Sequence, residues 1–172
     1  MYAFCKNLLK LRLYGGAICA AALLAPAVST TVASAQGFVQ GTCVTNRTTF
    51  LSRPDCTQVS SSSFVDIPET SVNVKVGGAN PTCVIVAFSA LVNPEPDETM
   101  VVRARIAGIG AGDPDDVAFG PGSGKLDTRA TQFIFRNVPP GNHTLQMQYR
   151  INAGGSGDSV RLCEPTLVVH HR

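Results

Sequence analysis

From Phe64 onward the chain alternates between apolar and polar residues, two positions to a period. Val72, Val74 and Val76 are separated by Asn73 and Lys75, which marks a strand with one wet face. Gly77, Gly78, Asn80 and Pro81 form the turn that follows. Cys83 to Leu91 reads CVIVAFSAL and is apolar on both faces, so it is expected to be a central strand with both sides covered. Asn93-Pro94-Glu95-Pro96-Asp97 breaks it. Met100, Val102, Ala104 and Ile106 then alternate with Val101, Arg103 and Arg105. After a Gly/Pro/Asp-rich stretch from Gly108 to Asp116, Val117-Ala118-Phe119 is at most a short strand. Further strands are expected at Gln132 to Arg136, Leu145 to Ile151, Val160 to Cys163 and Thr166 to His170. No useful length of the chain carries a 3.6-residue apolar period. The pattern predicts an all-β, antiparallel β-sandwich of about seven or eight strands, immunoglobulin-like or jelly-roll, stapled by disulfides.

Residues 36–62 depart from the alternation. Gly37, Gly41, Asn46, Pro54 and Asp55 lie among scattered apolar residues, and Ser60 to Ser63 is a polar run. This stretch is expected to be an irregular, disulfide-held lead-in to a sandwich over residues 63–172.

Residues 1–35 have the make-up of a secretory signal. Lys6, Lys10 and Arg12 precede an uncharged, largely apolar run from Leu13 to Val28, and Ala33-Ser34-Ala35 is a small-x-small cleavage site. The apolar core, Ala17 to Val28, is interrupted by Pro26 and is shorter than the roughly 20 residues that span a bilayer. Cleavage leaves 137 residues beginning at Gln36, enough for one domain and one core. It also leaves 11 basic residues against 12 acidic, a net charge of −1. Such a domain has no overall pull on nucleic acid or anionic membrane. The expected location is secreted or periplasmic, with no membrane span after signal removal.

Cys43, Cys56, Cys83 and Cys163 remain after cleavage, an even set for an oxidising compartment. Their gaps of 13, 27 and 80 residues are unlike the close C-x-x-C pairs of zinc sites. Two disulfides are expected, with Cys43–Cys56 closing a local loop and Cys83–Cys163 tying an early strand to the last.

Chemistry is sparse. His143 follows a turn, and His170 and His171 are adjacent, so on a strand they face opposite ways and do not chelate one ion together. Surface roles are expected for all three. No H-E-x-x-H or G-x-S-x-G motif is present, and Gly120 to Lys125 lacks the glycine, the Ser/Thr and the helix of a phosphate-binding loop. No catalytic residue and no cofactor are assigned. Asp113, Asp115 and Asp116, in a glycine-rich loop, are a weak calcium candidate without EF-hand spacing. The absence of Trp and the single mature Tyr, Tyr149 on an inward position, argue against a sugar-stacking module. Asn46-Arg47-Thr48 and Asn142-His143-Thr144 match the N-glycosylation acceptor pattern, which is short enough to occur by chance.

Arg103, Arg105, Arg136 and Arg150 fall on outward positions and make one possible partner face if their strands share a sheet. The leading functional expectation is an exported, non-enzymatic domain acting in binding or in a cell-surface or extracellular assembly. Its partner would be another exported protein or an anionic surface ligand. The alternatives are a small secreted hydrolase or lyase with a loop-borne carboxylate/arginine site, and a fimbrial-type structural subunit.

Overall fold

A computed structural model describes residues 41–94, 98–121, 125–152 and 159–172. The signal-like segment and Gln36 lie outside the described residues. Ten strands form among the described residues: β1 (Arg47–Ser52), β2 (Cys56–Val59), β3 (Val65–Val76), β4 (Thr82–Asn93), β5 (Thr99–Ile106), β6 (Gly110–Ala111), β7 (Val117–Pro121), β8 (Asp127–Val138), β9 (Gly141–Asn152) and β10 (Val160–His171).

They make two antiparallel sheets. In sheet A, β1 and β2 lie end to end along β10, followed by β4 and β8. In sheet B the order is β3, β9, β5, with β6 and β7 end to end along the outer side of β5. Counting each end-to-end pair as one broken strand gives eight positions. In chain order sheet A is then 1-8-3-6 and sheet B is 2-7-4-5. The chain changes sheet at every step but one. That is the wrapping of a jelly roll, and it resolves the choice left open by the alternation.

The first two strands correct one expectation. Residues 47–52 and 56–59 are strands of sheet A, where an irregular lead-in was expected. The break between them, at Arg53-Pro54-Asp55, matches a bulge in β10 between Cys163 and Thr166. Two backbone bonds, Arg53 N–H to Pro165 O and Glu164 N–H to Asp55 O, both 3.1 Å, carry the pairing across the break.

The core lies between the sheets. Val72, Val74 and Val76 of β3 are buried, as are Val84, Val86 and Phe88 of β4 and Leu145, Met147, Tyr149 and Ile151 of β9. Phe133 and Phe135 of β8 and Ala104 and Ile106 of β5 belong to the same cluster. Each large apolar side chain buried here stabilises by roughly 1.5–3 kcal/mol. The loop after β6 closes the β8 side of the sandwich. Gly112 N–H donates to Ala104 O, and a Cβ at Gly112 would sit 3.0 Å from Cβ of Phe133. Asp113 and Ile134 then exchange two backbone bonds of 2.9 Å, tying sheet B's loop to the edge of sheet A.

The disulfides are Cys43–Cys83 and Cys56–Cys163, not the expected pairs. Cys56 and Cys163 are direct partners in the β2–β10 ladder. The expectation of a local Cys43–Cys56 loop fails because Cys56 lies on β2 opposite Cys163 of β10, while Cys43, ahead of β1, meets Cys83 at the start of β4. Each is therefore carried to a different neighbour. Cys83 and Cys163 are outside the core cluster, and alternation places both on the outer side of sheet A.

Candidate functional site

The four arginines do not make one face. Arg103 and Arg105 on β5 and Arg150 on β9 project from the outer side of sheet B, whereas Arg136 lies on β8 of sheet A. Three of the four have partners inside the molecule. Arg103 Nε donates to Gln148 Oε1 at 2.8 Å, and Gln148 Nε2 donates to Asp66 Oδ1 at 2.8 Å. The Arg103 guanidinium also lies 3.9 Å from the centre of the Phe64 ring, and that of Arg150 lies 5.0 Å from it. Both are within the range where a cation is attracted to a ring face. Arg150 reaches Asp116 at 3.5 Å and Asn152 Oδ1, and its buried Nε makes no hydrogen bond. Arg136 meets Asp113 at 2.5 Å. Arg105 is exposed and has no ion pair among the described residues.

The outer side of sheet B is thus covered by its own side chains. Val101 is only 4% exposed there, although it is outside the main core. Alternation made the outward direction of the arginines legible. It carried no signal for Phe64 and Asp66, which reach them from the chain ahead of and at the start of β3.

The acidic loop does not converge. Asp113 and Asp116 turn to arginines of different sheets, and no group of three metal-ligating side chains exists among the described residues. The histidines are also separated. His170 Nδ1 is 3.1 Å from Thr48 Oγ1 on the outer side of sheet A. His171, expected at the surface, is 4% exposed. Its Nε2 is 3.0 Å from Thr49 Oγ1, and its Nδ1 donates to Lys75 O at 3.1 Å, so it joins the two sheets at one end of the sandwich. His143 Nε2 donates to Pro139 O at 2.8 Å. It borders an open depression of about 380 Å³ with Asn73, Lys75, Asn142 and Thr144.

The outer side of sheet A is different. Register aligns three rows across its four strands: Thr48, His170, Ile85 and Ile134; Phe50, Val168, Ala87 and Gln132; Ser52, Thr166, Ser89 and Ala130. None of these residues is Asp, Glu, Lys or Arg. Phe50 is 75% exposed, and Ile134 is 38% exposed on the opposite edge. Ser52 and Thr166 hydroxyls pair at 3.1 Å, as Thr48 pairs with His170. Four of the polar side chains of the face thus pair along the sheet. The strand expected to be covered on both sides, β4, is central as expected. Its outward Ile85, Ala87, Ser89 and Leu91 are only half-buried.

No protein-family model matches the sequence, and no curated protein matches it. Solved structures are similar to it. The VP2 subviral particle of infectious bursal disease virus aligns with 73% of this chain and 33% of its own length, at 14% identity and a TM-score of 0.53. The Gx strain of that virus aligns with 74% of this chain and 33% of its own length, at 15% identity and a TM-score of 0.48. A family two carbohydrate esterase from Cellvibrio japonicus aligns with 73% of this chain and 35% of its own length, at 12% identity and a TM-score of 0.28. The present chain thus spans about a third of the viral proteins it matches. Two disulfides fit an oxidising compartment, and no described helix is long and apolar enough to cross a membrane. What the first likeness shows is the fold alone, a two-sheet antiparallel β-sandwich in which this chain stands beside a viral particle protein.

Proposed function

We propose that the chain is an exported, non-enzymatic jelly-roll domain that acts by binding within an extracellular or cell-surface assembly. The observation that carries this reading is the outer face of sheet A, uncharged over three full rows and bearing Phe50 at 75% exposure. An open, uncharged face on which half of the row residues are apolar favours protein contact over chemistry. The scattered histidines and the arginine-paired acids support the same reading, because acid–base work needs such groups within reach of one reacting atom. The signal-like residues 1–35 supply the export.

The test uses protein recovered from the culture medium or periplasm of the source organism. Intact mass should place Gln36 first, and size-exclusion chromatography should find the domain in an assembly larger than one chain. Glycan and ester substrates should not be turned over. Turnover that disappears in Asp116→Asn or Arg150→Ser would overturn the reading in favour of a secreted hydrolase.

A further inference from the structure

We propose that the outer face of sheet A packs against the same face of a second copy of this chain. This rests on the binding reading and names its partner. The first argument is the patterning of β4. A strand apolar on both sides is the signature of a strand covered on both sides. Here one side of β4 faces the core, and the other carries Ile85, Ala87 and Leu91, half-buried on an open face. A second sheet laid over it supplies the missing cover, at the roughly 10 Å spacing at which sheets stack.

The second argument is charge. A surface facing its own copy meets its own charges, and like charges opposed across a contact are destabilising. The three rows present none, while the outer side of sheet B presents Lys75, Asp66 and Arg105. The charged residues of the sheet A face, Arg136 and Arg161, lie beyond the rows toward its two ends, and Arg136 is already paired with Asp113. The hydroxyls of Thr48, Ser52 and Thr166 are already paired with neighbours in the sheet, so covering them strands none of these three.

The third argument is area. A fourth row, Cys56, Cys163, Leu91 and Thr128, continues the three and is also uncharged. Four strands about 4.8 Å apart and four outward rows about 6.8 Å apart give on the order of 500 Å² per copy. Two copies bury about 1,000 Å², the lower bound of a specific interface. The contact is therefore expected to be reversible, dissociating in the micromolar to sub-millimolar range. The two disulfides lie on the outer side of sheet A toward its two ends, at Cys83 and Cys163, and hold the face rigid.

Sedimentation velocity of the exported, oxidised chain tests this over a range from low micromolar to near-millimolar. A concentration-dependent rise from monomer to dimer is expected. Phe50→Glu alters a side chain at the exposed edge of the sheet, so the fold should survive. It should weaken dimerisation by at least about tenfold. Ile134→Glu, on the other edge strand, should do the same, and Arg105→Glu on sheet B should leave the dimer unchanged. A wild-type chain that stays monomeric throughout overturns the proposal, and so does a dimer that both face variants leave intact. Monomeric behaviour alone leaves the binding reading standing, since that reading fails through turnover.

Discussion

The side chain of Gln146 fills the gap that the bulge of β3 opens beside β9. The β3–β9 register slips between Asp66 and Ser71, where Glu69 takes a φ of 56°. Slipped strands leave backbone carbonyls without ladder partners. Gln146 Nε2 lies 3.0 Å from Ile67 O and 2.8 Å from Thr70 Oγ1, and Thr70 Oγ1 in turn donates to Ile67 O at 2.7 Å. Thr70 is 1% exposed, so water does not replace a lost partner easily. Gln146→Ala should therefore lower the unfolding free energy by roughly 1–3 kcal/mol, the penalty for stranding a buried polar group. Gln132→Ala removes the same amide from the open face of sheet A and should change stability by less than about 0.5 kcal/mol. Guanidinium denaturation of both variants checks this. Equal losses would mean that Gln146 acts only as surface cover. Alternation made Gln146 legible as an outward residue of its strand. It does not reveal the bulge, because a slipped register depends on which strand lies opposite.

At the scale of elements, the disulfides decide how firmly the first edge of sheet A is held. β1 and β2 are short, and each pairs with β10 alone within the sheet. Cys56–Cys163 closes a separation of 107 residues and Cys43–Cys83 one of 40. The chain-entropy model gives about 5 kcal/mol for the longer loop and about 4 kcal/mol for the shorter, before any native-state term. The double variant Cys56→Ser/Cys163→Ser should therefore unfold at lower denaturant than Cys43→Ser/Cys83→Ser. The reverse order would show that something other than loop length governs the bridges. Long strands such as β9 were legible, because Leu145, Met147, Tyr149 and Ile151 repeat every second residue. β2 was not, since its four residues, Cys56–Val59, are too few to establish a period. The pairing of cysteines was hidden for the same reason. It follows from β2 lying opposite β10, a partner more than a hundred residues away.

For the whole molecule, the topology bears on whether the domain is complete. All eight jelly-roll positions are filled by this chain, so no donated strand is needed to cover the core. Its edges are also interrupted. Pro54 separates β1 from β2, the Gly112–Asp116 loop separates β6 from β7, and the Asp113–Ile134 bridge covers part of β8. Such breaks protect against edge-to-edge pairing. The strand content was legible because alternation is local, whereas the 1-8-3-6 and 2-7-4-5 orders were not. They depend on pairings such as β1–β10 and β3–β9 that join distant segments. Those same pairings raise the contact order, which places folding in the millisecond-to-second range. The oxidised chain, diluted alone from guanidinium, should thus regain its fold in that range, at a rate independent of protein concentration. Stopped-flow fluorescence of Tyr149, the single tyrosine after residue 35 and 6% exposed in the fold, follows the reaction. A fimbrial-type subunit lacking a strand would instead stall as an incomplete sandwich until a complementing peptide arrived. A refolding yield that rises only with added strand peptide would therefore restore that reading. Recovery by the chain alone removes it, because a domain that closes its own sheets leaves no vacancy for another chain's strand to fill.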